Sequence, residues 1–133
     1  MKYQETTGKV IGAAMRVHAA LGNGFQELIY QRALKIELDE MGIECEREFN
    51  MAIWYKYRSI GTRRVDFLIE NNICVELKAI VKLEPVHFAQ ARNYLEAYNK
   101  EIGLLINFGS ASLEYHRLVN PKYRPTSANE ASV

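Results

Sequence analysis

The sequence predicts an α/β domain, with a mixed central β-sheet flanked by helices. Three observations carry that expectation. Two stretches with apolar residues at helical spacing open the chain, segments rich in β-branched and aromatic residues follow, and then a strand, a helix and a second strand stand in succession. A β-α-β succession makes its two strands parallel and lays the helix across one sheet face.

The first helix is capped by Thr6 or Thr7 and runs to Leu21, with Val10, Ala14, Val17 and Leu21 as its apolar stripe. Gly22-Asn23-Gly24 stops it and frees the backbone for a tight turn. A second helix spans residues 26–41 and ends at Gly42. Its stripe of Leu34, Leu38 and Met41 extends backwards onto Tyr30 and Glu27, which puts a carboxylate on the core-facing side. Residues 44–57 form one or two strands, 58–61 a turn, and 63–69 and 73–80 two further strands. Pro85 opens a third helix that ends near Asn99. Residues 103–108 read as a buried strand and 113–119 as a last, alternating one. The order is ααβββαββ. Residues 1–120 are expected to form one domain, and the polar stretch 121–133, with Pro121 and Pro125, a flexible tail.

A chain of 133 residues with 48% hydrophobic and 25% charged residues has the composition of one soluble, globular domain. The formal net charge is +1, so nucleic-acid binding would need a local basic patch. No apolar run approaches the ~20 residues that span a bilayer, and residues 1–5 lack the apolar core of a signal peptide. Cys45 and Cys74 have neither metal-ligand spacing nor a disulfide framework. A cytoplasmic location without membrane contact is the expectation.

The chemistry concentrates in Val75-Glu76-Leu77-Lys78. Glu76 and Lys78 project from one face of a strongly apolar strand, where two charges are costly unless something uses them. Asp66 stands in the preceding apolar strand. It can face Glu76 only across a loop of odd length, so a three-residue loop over 70–72, or a bulge near Asp66, is required for a shared site. A two-residue turn at Asn71-Asn72 would separate the carboxylates. On the third helix His87, Gln90 and Tyr94 share one side.

Gly24-Phe25-Gln26-Glu27-Leu28-Ile29-Tyr30 reads G-x-x-E-x-x-Y. Together with Asp66, Glu76-Leu77-Lys78 and Gln90-x-x-x-Tyr94, it resembles the GxxExxY family, a branch of the PD-(D/E)xK nuclease-like superfamily. The resemblance covers roughly residues 10–119 and implies a restriction-endonuclease-like core. It also implies Asp66 and Glu76 as metal ligands, Lys78 as the catalytic lysine and Glu27 as a helix-borne acidic residue, which chemically could complete a metal shell or hold a second ion. Gln90 and Tyr94 match a Q-x-x-x-Y element of RecB-like and lambda-exonuclease-like nucleases. Asp66 follows Val65 rather than the proline of the superfamily's name.

Mg²⁺ or Mn²⁺ suits such a site, because a hard cation takes two or three carboxylates and neutralises the phosphoryl oxygens of a phosphodiester. Lys78 would position or deprotonate the attacking water, or stabilise transition-state charge. Gln90, Tyr94 and Arg64, with Arg63, Lys56, Arg58, Lys82 and Arg92 nearby in sequence, are candidate substrate contacts. The expected activity is Mg²⁺-dependent hydrolysis of DNA, with DNA preferred to RNA and a homodimer able to widen the footprint. The alternative is a weak or inactive nuclease-fold module serving nucleic-acid or protein interaction. Hydrolysis of a small phosphate metabolite is a third reading. Bland readings remain beside these: an isolated Glu-x-Lys more often marks a solvated face, Glu27 can simply favour a helix N-terminus, and Tyr30 and Tyr94 can be packed aromatics.

Overall fold

Ala13 and Ala14, flanked by Val10, Ile11 and Val17, give the first helix a small-residue face, and all five are buried against the second helix and the sheet. The computed structural model describes residues 3–125, in the order α1 (Gln4–Leu21), α2 (Glu27–Glu40), β1 (Cys45–Tyr55), β2 (Arg58–Ile69), β3 (Ile73–Lys78), α3 (Pro85–Tyr98), β4 (Ile102–Asn107) and β5 (Glu114–Val119). The expected ααβββαββ succession is what forms. The five strands make one mixed sheet in the order β1-β2-β3-β4-β5, antiparallel except for β3 and β4. The parallel pair is joined by α3, as a crossover connection demands.

Two cores result, one on each sheet face. Tyr30, Leu34 and Leu38 of α2 join the α1 residues over Phe67, Ile69, Ile73, Val75, Leu77, Leu104 and Ile106. On the other face Ala91, Leu95 and Tyr98 of α3 pack over Leu68, Cys74, Leu105 and Leu118. Met41, expected on the α2 stripe, is exposed at the helix end. Glu27 is exposed as well, one turn before the first buried residue of α2. The stripe turns inward at Tyr30, not at Glu27.

The β1–β2 turn falls at Lys56-Tyr57, earlier than the expected 58–61, and β2 therefore starts at Arg58. Both turn residues have positive φ, 47° and 64°, the combination whose twist matches the flanking strands of a two-residue hairpin. Gly61, which drew the expectation of a turn, lies inside β2 opposite Ile53, next to a register shift at Ile53/Trp54.

Residues of equal parity change core partway along this hairpin. Cys45 packs with the α1/α2 core, yet Phe49, Met51 and Ile53 pack toward α3; likewise Phe67 and Ile69 face one core and Val65 the other. Both strands turn over at the level of Glu48, which has φ 57°, and Asp66.

Between β2 and β3, Ile69 pairs with Ile73 across a three-residue loop. Glu70 and Asn71 take positive φ and the Asn72 N–H closes on the Ile69 carbonyl at 2.9 Å. This is the odd-length loop that a shared carboxylate site requires.

Past β5, the Asn99 side chain donates to the Arg124 carbonyl at 2.7 Å and accepts the Arg124 N–H at 3.0 Å, and Lys122 pairs with Glu96 at 3.6 Å. Residues 126–133 of the expected tail lie outside the described residues.

Candidate functional site

The site is built where β2 and β3 part. Their ladder is paired at Phe67 with Val75, Leu68 with Cys74 and Ile69 with Ile73. Beyond it, the Leu77 N–H donates to Asp66 Oδ2 at 2.8 Å, so a carboxylate takes the place of a main-chain acceptor. The other oxygen, Oδ1, accepts from Gln31 Nε2 at 2.8 Å, and Arg47 donates to Gln31 Oε1 at 3.1 Å. Asp66 thus ties β3, α2 and, through Gln31, β1 together. Burial raises its carboxyl pKa above the ordinary range, opposed by the Leu77 and Gln31 hydrogen bonds and by Arg63 and Lys78.

Glu76 shares the α3 face with Cys74 and is 6% exposed. Arg63 reaches its Oε2 at 3.4 Å, and the same guanidinium lies over the Tyr94 ring, 4.6 Å from its centre. Glu76 Oε1, Arg63 Nε and the Tyr98 hydroxyl are buried without a hydrogen-bond partner. Burial, then the Asp66 charge, push the Glu76 carboxyl up to about 7, against Arg63, Lys78 and the Asp66 backbone amide. Two carboxylates repel across a low-dielectric gap, and the usual remedy is a proton or a cation.

Glu27 sits in the first turn of α2. Its carboxyl is raised by partial burial and then by Asp66, and lowered by Lys78 and Arg63. Lys78, half-buried at the end of β3, therefore acts electrostatically on all three acids. The four residues share one electrostatic neighbourhood. Even so, among the described residues no three His, Cys, Asp or Glu side chains converge closely enough to hold a metal ion.

Tyr30 explains how Glu27 is placed. Its hydroxyl donates to the Gly22 carbonyl at 2.6 Å and accepts the Phe25 N–H at 3.1 Å, while its ring stacks on Phe108 at 4.6 Å. The tyrosine of G-x-x-E-x-x-Y fastens the turn that launches α2. On the far side, Asn107, paired in register with Lys78, is fully buried and exchanges hydrogen bonds with Ile80 at 3.0 and 2.9 Å. A Cβ on Gly109 would lie 2.3 Å from the Ile80 backbone. The chain leaving Lys78 is clamped there.

The chain matches the sequence profile described as the PD-(D/E)XK nuclease superfamily over residues 4–118. It belongs to the PD-(D/E)XK nuclease superfamily. Among solved structures, the crystal structure of SSO0001 is similar in fold, with a TM-score of 0.55 at 19% identity, covering 90% of this chain and 60% of that one. The chain thus spans about 60% of the length of that protein. No curated protein matches the sequence.

Of the residues singled out in the sequence, Glu27, Asp66, Glu76, Lys78 and Tyr94 gather at this seam. Gln90 is exposed one turn before Tyr94 on α3. His87 closes a capping box, its Nδ1 accepting the Glu84 N–H at 2.9 Å. Arg64 is exposed and faces Glu48 at 3.6 Å, because Arg63, paired with Met51 on the α3 face, is the one that enters the site. Sequence reasoning missed Gln31 and Arg47. The signal for Gln31 was available: it follows Glu27 by one helical turn, so the two share a side of α2.

Glu76 keeps a buried carboxylate oxygen without a partner, and burial raises all three acids above their usual range.

Proposed function

We propose that this PD-(D/E)XK member is a nuclease-fold module that engages nucleic acid at the Glu27, Asp66, Glu76 and Lys78 seam and turns over phosphodiesters weakly or not at all. The observation behind this reading is the competition at the seam. Arg63 already pairs with Glu76, and no three acidic, His or Cys groups close on a point among the described residues. Basic Arg63 and Lys78 then serve as phosphate contacts, with the Tyr94 ring beside the Arg63 guanidinium. The G-x-x-E-x-x-Y run supports placement in the GxxExxY branch. DNA is the proposed ligand, with the superfamily as support. A homodimer would enlarge the footprint of so small a domain.

A second reading is favoured by the unpartnered Glu76 Oε1: a Mg²⁺- or Mn²⁺-dependent DNA nuclease, with Asp66 and Glu76 as the ligands and Glu27 beside them. The cation, when bound, would supply Lewis-acid neutralisation of phosphoryl charge and an activated water. Lys78 would place its ammonium against the phosphate or the water, and Glu27, with its raised carboxyl, would accept a proton.

One experiment separates the two. Binding and cleavage of a DNA and RNA panel are measured with Mg²⁺ and Mn²⁺, in the native chain and in Asp66→Asn and Lys78→Ala. Binding with no cutting above background supports the module. Cutting that both substitutions abolish establishes the nuclease, and absence of binding to every nucleic acid sinks both.

A further inference from the structure

We infer that the tip of the β1–β2 hairpin is a stacking arm for unpaired bases, so that the nucleic acid engaged by this domain is single-stranded at the arm. This rests on the nucleic-acid reading above and adds a second contact surface to it.

Four features meet at the tip. Trp54, Tyr55 and Tyr57 are exposed by 62%, 61% and 99%, with Ile60 exposed beside them. Such large apolar rings stay in water only at a cost that burial elsewhere would remove. Trp54, Lys56 and Tyr57 line one open concavity of about 560 Å³. The turn that presents them is strained: Lys56 and Tyr57 both hold left-handed backbone, at φ 47° and 64°, without being glycine or asparagine. The pairing register shifts at Ile53/Trp54, at the base of the tip, a break in alternation that re-aims the side chains beyond it.

Charge selects the partner. From Trp54 to Val65 the hairpin carries Lys56, Arg58, Arg63 and Arg64 and no Asp or Glu. The Lys56 ammonium sits 5.6 Å from the Tyr55 ring centre, so cation and aromatic surface are interleaved. A hydrophobic protein partner would be met by rings alone. A polyanion that also offers flat π-faces uses both components, and a single strand is that ligand. A duplex hides its base faces in the stack, leaving only phosphates for the arm. Arg63 lies on this hairpin and also reaches Glu76, so a strand lying along the arm runs into the carboxylate seam.

Trp54 is the single tryptophan of the chain, and its fluorescence reads the contact directly. The test titrates the full chain with a short thymidine oligomer and with a duplex of matched length, following Trp54 quenching and anisotropy of the labelled nucleic acid. The expected result is Trp54 quenching by the single strand and tighter single-strand than duplex binding. Trp54→Phe keeps a ring and retains the preference, whereas Trp54→Ala and Tyr57→Ala each weaken single-strand binding by about 5- to 150-fold, the range for one lost base stack, and leave duplex binding unchanged. Circular dichroism checks that the variants are folded.

Equal single-strand and duplex affinity, with neither alanine variant altering them, overturns the arm while leaving the nucleic-acid reading intact. Failure of the native chain to bind any nucleic acid overturns both. An alanine variant that converts a dimer to a monomer in light scattering without changing single-strand affinity assigns the tip to self-association, and likewise overturns the arm.

Discussion

Asp66 Oδ2 accepts the Leu77 N–H at 2.8 Å, so an acidic side chain completes a sheet ladder that the main chain leaves open. The residue with the most to offer a cation is therefore also a structural acceptor. Asp66→Ala leaves the Leu77 N–H and the Gln31 amide without that acceptor and should destabilise the fold by about 2–4 kcal/mol. Asp66→Asn, which retains one oxygen, should lose less. Urea unfolding of both variants checks this, and an alanine no worse than the asparagine would show that the link contributes nothing.

Glu76 sets a pH dependence with a definite sign in metal-free buffer. Its folded carboxyl is raised to about 7 from an ordinary 4.5, so between those values the folded state holds more protons than the unfolded one. Stability then falls as pH rises through that window, by at most about 3 kcal/mol. Glu76→Gln should flatten the profile and exceed the native chain in stability at pH 8, with the advantage gone by pH 4. A native profile that rises through the same window would contradict the assignment.

Tyr30→Phe removes only a hydroxyl that joins Gly22 to Phe25 and leaves the stack on Phe108. The expected loss is about 1–2 kcal/mol of stability. Any Glu27-dependent readout, such as metal-linked stabilisation, should fall with it, because the start of α2 loosens. Chemical denaturation paired with a Mg²⁺ melting series tests the two effects separately.

Gly109→Ala drives a methyl group into the Ile80 backbone at 2.3 Å. Since main chain cannot rotate away as a side-chain end can, a loss of about 3 kcal/mol is expected. Thermal melting measures it, and a neutral result would mean that the 79–80 segment is free to shift.

Much of the fold was legible. Helical spacing and the Pro85 signal gave the three helices, and β-branched and aromatic runs gave the strands, with 44–57 left as one or two. Loop parity gave a three-residue connection or a bulge between β2 and β3, of which the first forms. The first hairpin turn was not legible, since Lys56-Tyr57 adopts left-handed backbone that its residue types disfavour, and Gly61 offered a false cue. At the seam, strand parity put Glu76 and Lys78 on one face. It could not say which of Arg63 and Arg64 enters, because the hairpin turns over at Glu48 and Asp66 and alternation alone does not record that. Gln31 escaped notice because an amide at a buried helix position carries no charge to mark it.

The clamp behind Lys78 has a mechanical corollary. β4, with Asn107 and Gly109 holding residue 80, forms a fixed jaw that is buried throughout. Residues 22–29, which carry Glu27, are exposed throughout and anchored inward at Tyr30, whose hydroxyl holds both ends of the turn. Exposed main chain with so few buried contacts opens more readily than a buried strand. The spacing of Glu27 from Asp66 is therefore the adjustable dimension of the seam, and the position of Lys78 its datum. Amide exchange should register this as a slow Ile80 N–H facing a fast Glu27 N–H in the uncapped first turn of α2.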